Sequence, residues 1–69
     1  MYGNLKAEMA RRDITKNNIA DLLGLTRNGV YNKINGKSDF RGQEWFKIHQ
    51  KYFPDMDLVY LMTLDESYT

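Results

Sequence analysis

Three side chains in one short stretch carry the most specific hydrogen-bonding chemistry of this chain. Arg27 presents a planar fork of N–H donors that matches the paired acceptors O6 and N7 of guanine, and Asn28 and Asn32 each offer a donor beside an acceptor, matching N6 and N7 of adenine. On a helix their spacing puts them on one ridge. Asparagine is a poor helix former, so a pair of them there is easier to explain by readout than by stability. Other chemistry finds little support. His49, the only histidine, has no Ser/Asp pairing or carboxylate cluster near it in sequence and reads as a surface or interface residue. Asp55, Asp57, Asp65 and Glu66 lack the order and turn glycine of an EF-hand, and the absence of cysteine excludes a thiolate zinc site. No catalytic residue, metal, cofactor or small-molecule substrate is expected.

The elements around the ridge are marked by their boundaries. Thr15 is a good N-cap for a helix whose apolar face is Ile19, Ala20, Leu22 and Leu23, and Gly24 ends it, because glycine enters the left-handed region without steric cost. Leu25 follows, Thr26 caps the next helix, and that helix runs from Arg27 to Asn35 with Val30 and Ile34 inward and Asn35-Gly36 as its stop. Arg27, Asn28, Tyr31 and Asn32 are what remain outside. Ala20 is small enough for two helices to cross closely. Residues 15–36 therefore read as a helix-turn-helix, whose second helix suits a major groove about 12 Å wide. Before it, Asn4 is expected to cap a helix carrying Leu5 and Met9, which Asp13 closes. After it, the 37–39 loop leads to Phe40 and a fourth helix with Trp45, Ile48 and Tyr52 inward and Phe46 turned towards the fifth helix. Pro54 breaks that helix, and Asp55 or Asp57 caps a short fifth one holding Leu58, Tyr60, Leu61 and Met62. The expectation is one all-α domain of five helices over residues 1–62, with an acidic tail over 63–69.

Composition narrows the class further. A chain of 69 residues buries only about 60% of its unfolded surface, too little for a large enzyme core. No apolar run approaches the ~20 residues of a membrane span, and no secretory leader opens the chain, so a soluble cytoplasmic domain without membrane partners is expected. The formal charge of +1 conceals a gradient. Residues 1–53 hold all ten Lys and Arg against five acids, whereas 54–69 hold four acids and no base. A basic body with an acidic end suits a polyanion-binding surface.

The ordered set Ile19-Ala20 … Leu23-Gly24-Leu25-Thr26-Arg27-Asn28-Gly29-Val30 … Asn35-Gly36, followed by Phe40 and Trp45/Ile48, resembles the lambda-repressor-like, Cro/repressor-type helix-turn-helix family (the XRE group) of phages and bacteria. The opening Tyr2-X-Asn4-Leu5-Lys6 and the tract Asn35-Gly36-Lys37 … Phe40 are similar to short prophage regulators. The resemblance covers residues 4–62 and implies a compact five-helix domain that represses or regulates transcription by occupying a DNA operator. It implies base reading by Arg27, Asn28 and Asn32, and DNA-backbone contacts by Lys16, Asn17, Thr26, Tyr31, Asn35, Lys37, Ser38 and Arg41. Tyr31 reads equally well as a partly packed ring. Three positions depart from the family pattern. Gly29 lies inside the recognition helix; Lys33 replaces an apolar core residue, leaving Ile34 to fill the space; and Arg41 replaces a Ser/Thr cap, so that Ser38 or Asp39 is expected to cap the fourth helix.

Phe46, Val59, Tyr60 and Met62 are surplus apolar residues for so small a core. They point to a symmetric homodimer, whose two recognition helices would meet successive turns of a palindromic duplex about 34 Å apart. The alternative is a protein-interaction module, antitoxin-like or an anti-repressor partner, that uses the apolar 45–62 surface. A generic nucleoid binder ranks lower, because the ridge holds Asn and Arg rather than Lys.

Overall fold

Leu5 and Met9, four apart, are buried together, and the same helical spacing organises the rest of the core. The structure, a computed structural model, describes residues 1–64. It holds five helices: α1 (Gly3–Arg11), α2 (Lys16–Leu23), α3 (Arg27–Ile34), α4 (Gly42–Tyr52) and α5 (Leu58–Met62). No strand occurs among the described residues, so the all-α, five-helix expectation is met. Asp65 and Glu66 of the expected tail lie outside the described residues. No helix of the described residues is long and apolar enough to cross a membrane.

Local chemistry accounts for the central pair of helices. Thr15 Oγ1 accepts the Asn18 N–H (3.1 Å) while Asn18 Oδ1 accepts the Thr15 N–H (2.8 Å), a reciprocal capping box with asparagine at its far end. Gly24 takes φ +71°, and the Leu25 N–H then closes on the Ala20 carbonyl at 2.9 Å. Thr26 Oγ1 accepts the Gly29 N–H at 3.0 Å, which starts α3 after a turn of only three residues. α2 packs on α3 and α4, and α1 on α3 and α5. Leu5, Ile19, Val30, Ile34, Ile48, Phe53 and Leu61 are fully buried where these helices meet. Each contributes roughly 1.5–3 kcal/mol of transfer free energy.

Aromatic residues close the open end of this core. Phe40 and Trp45 lie 4.7 Å apart between ring centroids, and Tyr2 stands edge-on to Trp45 at 5.1 Å. The Tyr2 N–H also donates to the Ile34 carbonyl (2.8 Å), tying the start of the chain to the end of α3. Burial, reinforced by the nearby Asp39 carboxylate, raises the Tyr2 phenol above its ordinary pKa. Gly36 is fixed at φ +87°, and a Cβ there would come within 3.3 Å of the Met1 nitrogen.

Two helix starts differ from expectation. Asn4 does not cap α1; the cap position is Tyr2, without a side-chain bond, and Asn4 Nδ2 donates instead to the Tyr60 carbonyl at 2.9 Å. The reason is that docking of Tyr2 on Ile34 starts the helix at Gly3, two residues early. Neither Ser38 nor Asp39 caps α4, which begins at Gly42 rather than Phe40. Phe40 is drawn into the aromatic cluster, which leaves Arg41 extended at the cap position, and Glu44 Oε1 accepts the Arg41 N–H at 2.8 Å. A carboxylate in the first turn also suits the helix dipole. Asp39 instead uses its carbonyl to accept Lys33 Nζ (2.8 Å), and Lys33 lies near Glu44 (3.4 Å) and over the Phe40 ring. Lys33 thus buries its stem, but its head does not reach outward and is neutralised within the fold.

Asp57, not Asp55, caps α5, by accepting the Val59 N–H. Asp55 is held by Arg12, whose guanidinium donates to both carboxylate oxygens (2.9 and 2.7 Å) and to the Tyr52 carbonyl (2.8 Å). The Arg12 hydrogen bonds hold the Asp55 carboxyl below its ordinary pKa. A lowered folded-state pKa stabilises the fold above the unfolded value, about 3.9, and the benefit is lost as pH falls through the folded value. Wild type should therefore melt above Asp55→Asn at pH 6–7, and the two melting temperatures should converge near pH 2, as followed by circular dichroism. A constant difference over that range would contradict this role.

Candidate nucleic-acid interface

The periodicity of α3 decides which of its residues face out. Val30 and Ile34 are buried, which leaves Arg27, Asn28 and Tyr31 exposed, with Asn32 and Asn35 half-buried beside them. No side-chain hydrogen bond joins Arg27, Asn28 or Asn32 to another described residue, so their donors and acceptors stay open to an outside partner.

Shallow grooves among the described residues flank this helix. One is lined by Lys16, Arg27, Asn28 and Tyr31. The second runs from α1 to the start of α2 and is lined by Lys6, Thr15, Lys16, Asn17 and Arg27 among others. The third holds Lys6, Tyr31, Asn35 and Lys37. Lys16, the first residue of α2, sets its Nζ 5.8 Å from the centre of the Tyr31 ring, a cation–π contact that fixes the start of α2 against the middle of α3. Tyr31 nevertheless stays 47% exposed, so its ring is both packed and available. The loop after α3 is held by the Asn32 carbonyl, which accepts the Lys37 N–H (2.9 Å) and the Ser38 N–H (3.4 Å), tying Lys37 to the end of the helix.

The grooves share one sign of charge. Lys6, Lys16, Arg27 and Lys37 line them, and among the described residues no acidic side chain does. By contrast, a groove on the α2–α4 side is lined by Asp21 together with Lys51. The residues expected to act together are therefore largely gathered: Lys16, Asn17, Arg27, Asn28, Tyr31, Asn35 and Lys37 line these grooves on and beside α3, whereas Asn32 lines none of them. Ser38 and Arg41 are exposed but line none of these grooves, and Thr26 has an acceptor site of its hydroxyl occupied by the Gly29 N–H. Nothing in the sequence gives Lys6 a role at this face. Its side of α1 is shown by the burial of Met9 three residues on, but that it adjoins α3 becomes visible only when the two helices pack.

The residues expected at a dimer interface divide. Val59 is 70% exposed, Phe46 56% and Met62 40%, so Phe46 is not covered by α5. Tyr60 is engaged within the chain, its hydroxyl donating to Glu8 (3.0 Å), a buried carboxylate that also receives Arg11. His49 is half-buried, with Nε2 2.7 Å from the Met56 carbonyl. Among the described residues no group of three or more His, Asp or Glu could hold a metal ion.

The chain matches no family model, no curated protein and no solved structure.

Proposed function

We propose that this protein is a sequence-specific, double-stranded-DNA-binding regulator of transcription that lays α3 in the major groove. One observation carries the reading: the side chains of Arg27, Asn28 and Asn32 lie along α3 without a hydrogen bond to another described residue, and the grooves beside this helix are lined by cations and by no acid among the described residues. An α-helix with its side chains is about 10–12 Å across, close to the roughly 12 Å width of the groove. Arg27, Asn28 and Asn32 select the site; Lys16, Asn17, Thr26, Tyr31, Asn35, Lys37, Ser38 and Arg41 set register on the phosphates. The likeness of residues 4–62 to the Cro/repressor-type helix-turn-helix pattern supports the same assignment, with occlusion of a promoter as the mechanism.

Exposure of Val59 and Met62, three apart on α5, and of Phe46 supports assembly of two copies on a palindromic site. The same exposure supports a second reading, a protein-interaction module working through the 45–62 surface, and that reading requires no affinity for duplex.

Salt dependence separates them. If Lys16, Lys37 and Arg41 each occupy a phosphate, counterion release gives a slope of about −2.7 per protomer in log affinity against log salt, or roughly a 40-fold loss between 50 and 200 mM. Fluorescence anisotropy with labelled duplex measures it. Affinity that does not change over this range would remove the phosphate roles.

A further inference from the structure

We propose that Lys6 of α1 is a phosphate-contacting residue, so that the DNA-binding face extends beyond the helix-turn-helix to a third helix. The proposal rests on the DNA-binding reading above. Lys6 is exposed, and it is shared by the two grooves that border α3 on the α1 side, one reaching Lys16 and Arg27 and the other Tyr31 and Lys37. Met9, three residues on and 5% exposed, anchors this side of α1.

The electrostatics point the same way. Three cations are neutralised within the fold: Arg11 meets Glu8, Arg12 meets Asp55 and Lys33 meets Glu44. Lys6, Lys16, Arg27 and Lys37, which line the grooves beside α3, have no such ion pair among the described residues. The side chains that line the two grooves with Lys6 thus include three more cations. Like charges gathered without a counter-charge repel, and an anion seated among them relieves that repulsion. When a helix occupies the major groove, elements beside it face the walls of that groove, which are the phosphate strands. Lysine suits such a place, since it meets a phosphate as a mobile point charge and reads no base.

The test is a salt titration with two labelled probes: a pool of random-sequence duplexes of about 20 base pairs, two helical turns, and the duplex enriched from it. Wild type, Lys6→Ala, Lys6→Arg and Lys51→Ala are compared, with circular dichroism confirming that each variant is folded. Lys51 lines a groove on the α2–α4 side and none beside α3. Lys6→Ala should flatten the salt slope by about 0.9 and weaken binding about fivefold at ~150 mM on both probes. Lys6→Arg should restore the slope and Lys51→Ala should match wild type. A Lys6→Ala slope equal to that of wild type would overturn the α1 contact and leave the DNA reading standing. Loss confined to the enriched duplex would overturn the phosphate assignment in favour of base contact. Failure of wild type to bind either probe would overturn both proposals together.

Discussion

Arg27→Ala combined with Asn28→Ala should erase most of the preference for an operator over random duplex while leaving the fold intact. Two bidentate base contacts at about 1–3 kcal/mol each amount to roughly 2–6 kcal/mol of discrimination, between 30-fold and 10⁴-fold. Binding to random duplexes should weaken far less, since only one charge is removed. Stability should not suffer: both side chains are exposed, neither bonds to another described residue, and alanine has the higher helix propensity. Competition binding against unlabelled random duplex, with a thermal melt of the same sample, reads both quantities. A variant that melts like wild type and still discriminates would remove Arg27 and Asn28 from base reading.

Trp45→Ala should have the largest effect on stability. Trp45 is 4% exposed and packs against both Tyr2 and Phe40. Truncating a buried aromatic costs about 3–5 kcal/mol, and each lost aromatic pair adds roughly 0.5–1.5 kcal/mol. A domain of this length has only about 3.5–10 kcal/mol of stability. The melting temperature should fall by more than about 12 °C, or the folding transition should vanish. Trp45→Phe, which keeps a ring in place, should lose much less. The consequence reaches the interface, because Tyr2 lies on Trp45 and holds the Ile34 carbonyl at the end of α3. A Trp45→Ala protein melting within a few degrees of wild type would show that the aromatic cluster is dispensable.

The parts of this fold legible in the sequence are those governed by local chemistry. Thr15, Gly24 and Thr26 act where they stand, through bonds to residues within a few positions, so the boundaries of α2 and α3 could be read directly. The outward ridge of α3 was legible for a related reason: Val30 and Ile34, four apart, fix its inner face and hence its outer one. What could not be read depends on contacts distant along the chain. Tyr2 looks like an ordinary terminal residue until Phe40 and Trp45 cover it. Asp55 looks like a cap until Arg12 reaches it across 43 positions, and Tyr60 looks like surface until Glu8 takes its hydroxyl across 52. The start of α4 was misplaced because burial of Phe40 and the carboxylate of Glu44 outweighed the capping tendency of Ser38 and Asp39. Lys6 belongs with these cases, being a candidate contact supplied by a helix outside the motif.

The central claim is that α3 reads DNA sequence, and selection of bound duplexes from a random pool at about 150 mM salt, where specific and non-specific binding separate, tests it most directly. The account predicts enrichment of a short palindrome with guanine and adenine at the positions facing Arg27 and the asparagines, lost or altered with Arg27→Ala/Asn28→Ala. A folded protein that enriches no sequence would contradict it and move the function to the exposed apolar surface of residues 45–62.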